Sequence, residues 1–191
     1  MKAAALLAVV VGTALLAGSA AVFGLHAPAR SAAIAPVWTE VKWPFPVDQW
    51  GTGRAFVCAA ADCDTEVHLY VRPKIGFCNC ATGVSDDAEL ERVADTELIS
   101  RGIAPLDQGR PIKVGWMEGR IRAYRSSGEV SGEQLLSAAF NDECDVVVAV
   151  AALKHGDPAV IGPAVLSYLN TTPMVLWAKK ELGLEFVSRQ W

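Results

Sequence analysis

The hydrophobic pattern begins with one long uninterrupted run and then changes period along the chain. No charged residue lies between Lys2 and Arg30. A short positive start, an apolar stretch and the small residues Gly18-Ser19-Ala20-Ala21 fit a secretory signal peptide. The run is also long enough to remain as an anchor, since about 20 apolar residues span a bilayer. Residues 1–25 are therefore read as signal peptide or signal anchor. Residues 26–36, HAPARSAAIAP, read as a linker. Both readings place residues 37–191, taken as one domain, outside the cytoplasm. That domain is periplasmic or secreted, and touches a membrane only through an inner-membrane anchor at residues 3–25.

Beyond the linker, Pro44 and Pro46 forbid regular ladder pairing, so VWTEVKWPFPVDQW reads as an extended edge. GRAFVC (53–58) reads as a short strand. EVHLYVR (66–72) alternates: Val67, Leu69 and Val71 take one face, and Glu66, His68, Tyr70 and Arg72 the other. The intervening turn makes the two a hairpin.

Asp86 opens a helix, with Glu89 three residues on completing a capping box. Leu90, Val93, Ala94 and Leu98 form its inward stripe, Glu91 and Asp95 lie outward, and Gly102 ends it. PIKVGWMEGRIRAYR (111–125) predicts a second hairpin turning at Glu118-Gly119. Ser131 with Gln134 predicts another capped helix, through about Phe140. CDVVVAVAAL (144–153) is continuously apolar and predicts a central strand buried on both faces. Two helices follow the His155–Pro158 turn, one with Pro163 in its first turn and one capped by Thr172 and running to Gly183. Leu184–Ser188 reads as a last short strand.

The fold class is α+β: one mostly antiparallel sheet of about five or six strands with three or four helices packed on it.

Charge narrows the function. The formal net charge is −4, and losing Lys2 with a leader makes the remainder more negative. That composition disfavours nucleic-acid binding. No nucleophile elbow, zinc-protease motif, phosphate loop or dinucleotide fingerprint occurs.

Five cysteines remain, at 58, 63, 78, 80 and 144, all disulfide candidates in an oxidising compartment. The odd count leaves at least one without an intrachain partner. The pairing favoured from strand lengths is Cys58–Cys144, with Cys63 bonded to Cys78 or Cys80. Cys78 and Cys80 also admit a second reading. Neighbouring thiolates suit copper(I) or zinc, with Cys63 or His68 completing the set, or they act as a redox pair.

Arg72, Lys74, His68, Arg120 and Arg122 form a possible ligand surface. Arg120 and Arg122 alternate along one strand, with Lys113 expected opposite. Trp38, Trp43, Phe45 and Trp50 read as core aromatics or, if exposed together, as a partner surface.

The function expected is that of a non-catalytic binding or accessory protein of the cell envelope. It would lack a cofactor and serve an unknown envelope protein or polymer. The alternative is a thiol-redox or copper-handling protein using Cys78 and Cys80.

Overall fold

The computed structural model describes residues 36–127 and 133–184. Among them are eight strands in one antiparallel sheet and four α-helices, in the α+β class expected but with more strands. The strands are β1 (Trp38–Val41), β2 (Arg54–Cys58), β3 (Val67–Lys74), β4 (Ile103–Pro105), β5 (Arg110–Val114), β6 (Met117–Ser126), β7 (Gln134–Asp142) and β8 (Asp145–Leu153). The helices are α1 (Ala60–Cys63), α2 (Asp87–Val93), α3 (Pro158–Leu169) and α4 (Thr172–Glu181). The sheet runs β1-β2-β3-β8-β7-β6-β4, with β5 also pairing with β6. The leader, nearly all the linker, Ser131 and residues 185–188 lie outside the described residues.

The alternation in β3 sets the two sides of the sheet. Val67, Leu69 and Val71 join Phe56, Ile121, Ala138 and Val147 in the main core, closed by Ile161, Val165 and Leu169 of α3 and Met174 and Ala178 of α4. On the other side, Leu90 and Val93 of α2 pack with Ala139, Val146 and Val148. β8 feeds both cores, as its continuous apolar run predicts. Among the described residues no single helix is long and apolar enough to cross a membrane.

Three local readings are corrected. Residues 134–140 form strand, not helix. β7 lies between β6 and β8, with Leu135 through Phe140 all buried. Leu and Ala favour helix in isolation, but ladder pairing and burial on both faces override that preference. The second hairpin turns at Gly115-Trp116, where Val114 pairs with Met117 and Gly115 has φ +59°. This left-handed position suits glycine. Gly119, expected in the turn, lies inside β6, where a Cβ would sit 2.0 Å from the Ala139 carbonyl oxygen. It serves close approach rather than reversal. Pro163 lies inside α3, which begins at Pro158 after the Asp157 cap.

α2 is also shorter than expected. Asp86 caps it by accepting from the Glu89 N–H at 2.8 Å. The Glu89 carboxylate does not close the box. It accepts instead from the Asn79 N–H at 2.8 Å and from Arg92. The helix stops after Val93, and a 3₁₀ turn, Thr96–Leu98, replaces its expected second half.

Candidate functional site

The side of the sheet beneath α2 carries four cations, Arg72 and Lys74 from β3 and Arg120 and Arg122 from β6. The helix meets them with its acidic residues. Arg120 pairs with Asp87, and Arg122 reaches Asp87 at 3.4 Å and Glu91 at 2.8 Å. The expected basic strip is thus neutralised from above, and Lys113 does not extend it. It stands opposite Glu118, while Arg120 faces Pro111. The hydrogen bond from Arg120 holds the Asp87 carboxyl below its ordinary range, outweighing the opposing effect of burial.

On the other flank the charges are buried. Arg72 and Lys74 are 3% and 4% exposed, so neither offers the open ligand surface expected. Arg72 donates Nε to Asp95 Oδ2 at 2.5 Å and Nη2 to Asp95 Oδ1 at 2.8 Å. Its Nη1 donates to both Asp48 oxygens at 2.8 Å. Lys74 Nζ reaches Asp95 Oδ1 at 2.8 Å and donates to the Val93 carbonyl at 2.6 Å. That second bond satisfies a carbonyl at the C-terminus of α2, where helix carbonyls lack partners. Asp95 is therefore buried beneath the end of the helix, not placed on its outer surface as expected.

Burial pushes the Lys74 ammonium below its ordinary range, and Asp95 only partly offsets this. Burial also opposes the charge on Arg72, but its bonds to Asp95 and Asp48 outweigh it and raise its value. Asp48 is lowered. Desolvation works against its charge, and the bonds from Arg72 and the Trp50 N–H prevail.

Over this network lies a cleft of about 320 Å³. Arg72 and Lys74 form its floor, and the rings of Trp50 and Phe77, packed on each other with centroids 4.6 Å apart, line it together. Lys74 Nζ lies 5.1 Å from the Phe77 ring and 5.8 Å from that of Trp50, within cation–π range. Asp48, Glu91 and Glu97 are exposed at its mouth, with Arg92 already bonded to Glu89. A larger hollow of about 560 Å³ lies between residues 82–85 and the β5–β6 hairpin. It has no buried charged group on its walls, so the smaller cleft is the stronger candidate.

The aromatic residues of the leading segment divide. Trp38 stacks on Tyr168, Trp43 and Phe45 meet Tyr70, and only Trp50 reaches the cleft. Asp48, Asp95 and Phe77 were not singled out as site residues from sequence.

His68 lies apart from the cleft, paired with Glu66 at 3.1 Å. Six residues of strand separate it from Lys74, or roughly 20 Å.

The cysteines pair differently from the favoured scheme. Cys58 bonds Cys63 across α1, and Cys80 bonds Cys144. Cys58 ends β2 and Cys144 lies in the turn before β8, two strands separated by β3, whereas α1 folds Cys63 straight back onto Cys58. Cys78 is a buried free thiol. A disulfide sulfur has no thiolate to offer a metal, so in this structure Cys80 and Cys63 do not join Cys78 as ligands. Among the described residues no group of three or more His, Cys, Asp or Glu is arranged to hold a metal ion.

No family model matches the chain, and no curated protein matches it in sequence. Among solved structures it is similar to a protein of unknown function from Pseudomonas aeruginosa, at 13% identity over 74% of this chain and 85% of that one, with a TM-score of 0.38. It is also similar to cyanobacterial PsbP from Synechocystis, at 12% identity over 70% of this chain and 77% of that one, with a TM-score of 0.40. At these scores neither likeness carries an argument about function.

Proposed function

We propose that the chain is a non-catalytic binding protein of the cell envelope, held outside the cytoplasm, and that it takes its partner at the mouth of the α2 cleft. Two disulfides support the compartment, since such bonds persist in oxidising surroundings. The N-terminal apolar run supports export in the same direction.

The observation that carries the binding reading is the division of charge in the cleft. Its floor cations are committed to Asp95 and Asp48. Its mouth carries the exposed Glu97, which no cation pairs with among the described residues, next to Asp48 and Glu91, already paired with Arg72 and Arg122, and beside the half-buried rings of Trp50 and Phe77. An uncommitted carboxylate beside aromatic rings suits a segment bearing a basic side chain next to an apolar one.

Photo-crosslinking tests this. A photoreactive residue is placed at Gln49 or Glu97 in the full chain in cells, with exposed Val160 on the opposite layer as control. The expected result is a discrete crosslinked species from the two cleft positions, absent at Val160 and lost with Glu91→Lys. Identical patterns at all three positions, or a reduced product in the cytoplasm, would overturn the reading.

A further inference from the structure

Three cysteines converge where β7 turns into β8 through Glu143-Cys144. The Cys78 N–H donates to the Cys144 carbonyl at 3.1 Å. The Cys78 thiol donates to the Glu143 carbonyl at 3.2 Å, one peptide plane from the Cys144 Cα. Cys144 is bonded to Cys80. These two bonds set Cys78 directly beside the Glu143-Cys144 peptide, so that Cys78 and Cys144 are neighbours of the kind a disulfide joins. Cys144 therefore has two sulfur partners within reach. They differ in access, for Cys78 is buried and Cys80 is exposed.

We propose that Cys78, Cys80 and Cys144 form a thiol–disulfide exchange site, in which Cys78 displaces Cys80 from Cys144 and so delivers a reactive thiol to the surface at Cys80. Cys78 first gives its proton to water. Its thiolate attacks Cys144 Sγ, the Cys78–Cys144 bond forms as the Cys80–Cys144 bond breaks, and Cys80 leaves with the electron pair and takes up a proton. One thiol and one disulfide exist before and after, so no oxidant or reductant is needed. Attack on Cys80 instead would close a ring with only Asn79 between the two cysteines, and Cys78 has no backbone bond holding it there. The exposed Cys80 thiolate can then attack a disulfide in a partner protein: a new bond joins Cys80 to one partner sulfur, and the other leaves as thiolate. The class of ligand is thus a disulfide-bearing protein. This inference is independent of the binding reading of the α2 cleft.

The surroundings of Cys78 govern the rate. Burial disfavours its thiolate most, the carboxylates of Glu89 on α2 and Asp145 on β8 add to this, and Arg92 opposes it. Exchange is therefore slow at neutral pH and quickens by about tenfold per pH unit while the thiol stays mostly protonated.

The test is maleimide labelling of the folded full-length product at about pH 7 and about pH 9, followed by digestion and mass mapping. The expected result is label on Cys80 together with a Cys78–Cys144 disulfide peptide, arising faster at the higher pH. In Cys78→Ser the Cys80 label disappears. In Cys80→Ser, the oxidised chain contains a Cys78–Cys144 bond. Label confined to Cys78, or label only after denaturation with Cys80–Cys144 intact, overturns the proposal. So does a folded Cys80→Ser chain in which Cys78 and Cys144 both titrate as thiols. If that variant does not fold, the map of the unaltered protein decides.

Discussion

Arg72 and Asp95 face each other side by side beneath the end of α2, joined by two nearly parallel N–H···O bonds of 2.5 and 2.8 Å. The same carboxylate also receives Lys74 at 2.8 Å. One acid thus serves two buried cations, and Lys74 passes the connection on to the last helical carbonyl. The end of α2, the floor of the cleft and the edge of β3 are tied through Asp95.

Removing Asp95 should therefore cost far more than removing an exposed acid. Asp95→Ala leaves two cations in the interior with one carboxylate between them, and breaking a buried pair from one side costs about 3–5 kcal/mol. Asp48→Ala, at a partly exposed partner whose loss leaves Arg72 still bonded twice to Asp95, should cost less, about 1–2 kcal/mol. Urea unfolding followed by tryptophan fluorescence compares the two. Equal losses would contradict the central place given to Asp95.

Acid should loosen α2 from the sheet. The Asp87 and Glu89 carboxyls are held below their ordinary values of 3.8 and 4.5, first by hydrogen bonds from Arg120 and Arg92. A carboxyl lowered on folding binds more protons when unfolded, so its contribution is present above its ordinary value and is lost as pH falls through the lowered one. Melting temperature should drop on acidification below those ordinary values, and Asp87→Asn should flatten that drop. An unchanged acid limb in the variant would dissociate Asp87 from it.

The two disulfides should differ in weight. Cys80–Cys144 spans 64 positions and Cys58–Cys63 spans 5. Loop-closure entropy assigns them about 4 and about 2 kcal/mol respectively. The paired variants Cys80→Ser/Cys144→Ser and Cys58→Ser/Cys63→Ser, unfolded in denaturant, should show the larger loss for the first pair. The reverse order would place the stabilisation outside chain entropy.

Gly119→Ala should be poorly tolerated. Its Cβ would meet the Ala139 carbonyl oxygen at 2.0 Å and the Phe140 Cα at 2.5 Å, both backbone atoms. Relief requires separating β6 from β7, at a cost of about 3 kcal/mol or more. Gly76→Ala has no neighbour within 4 Å but must hold φ +65°, so its cost should stay near about 1 kcal/mol. Soluble yield and thermal melts of the two variants separate a packing clash from a backbone preference.

Much of the architecture was legible locally. The alternation of Val67, Leu69 and Val71 marked the core side of β3, and the unbroken apolar run of β8 marked a strand covered on both faces. Asp86 declared the start of α2. The site was much less legible. Arg72 and Lys74 read as part of a possible ligand surface, and only the acids Asp95, just past α2, and Asp48, from the leading segment, make their burial tolerable. β7 failed for a related reason, since burial on both faces erases the period that distinguishes strand from helix.

By itself the sequence determined the α+β class, the inward side of β3, the central strand β8 and the cap of α2, because each follows from side-chain period or from groups within one turn of each other. Tertiary structure alone decided that residues 134–140 are strand, that the hairpin reverses at Gly115 rather than Gly119, that Asp95 turns inward, and that Cys144 bonds Cys80 beside a buried Cys78. Each of these depends on register and layer packing between segments far apart in the chain. A local pattern records how exposed a residue wants to be, but not which distant partner makes its burial possible.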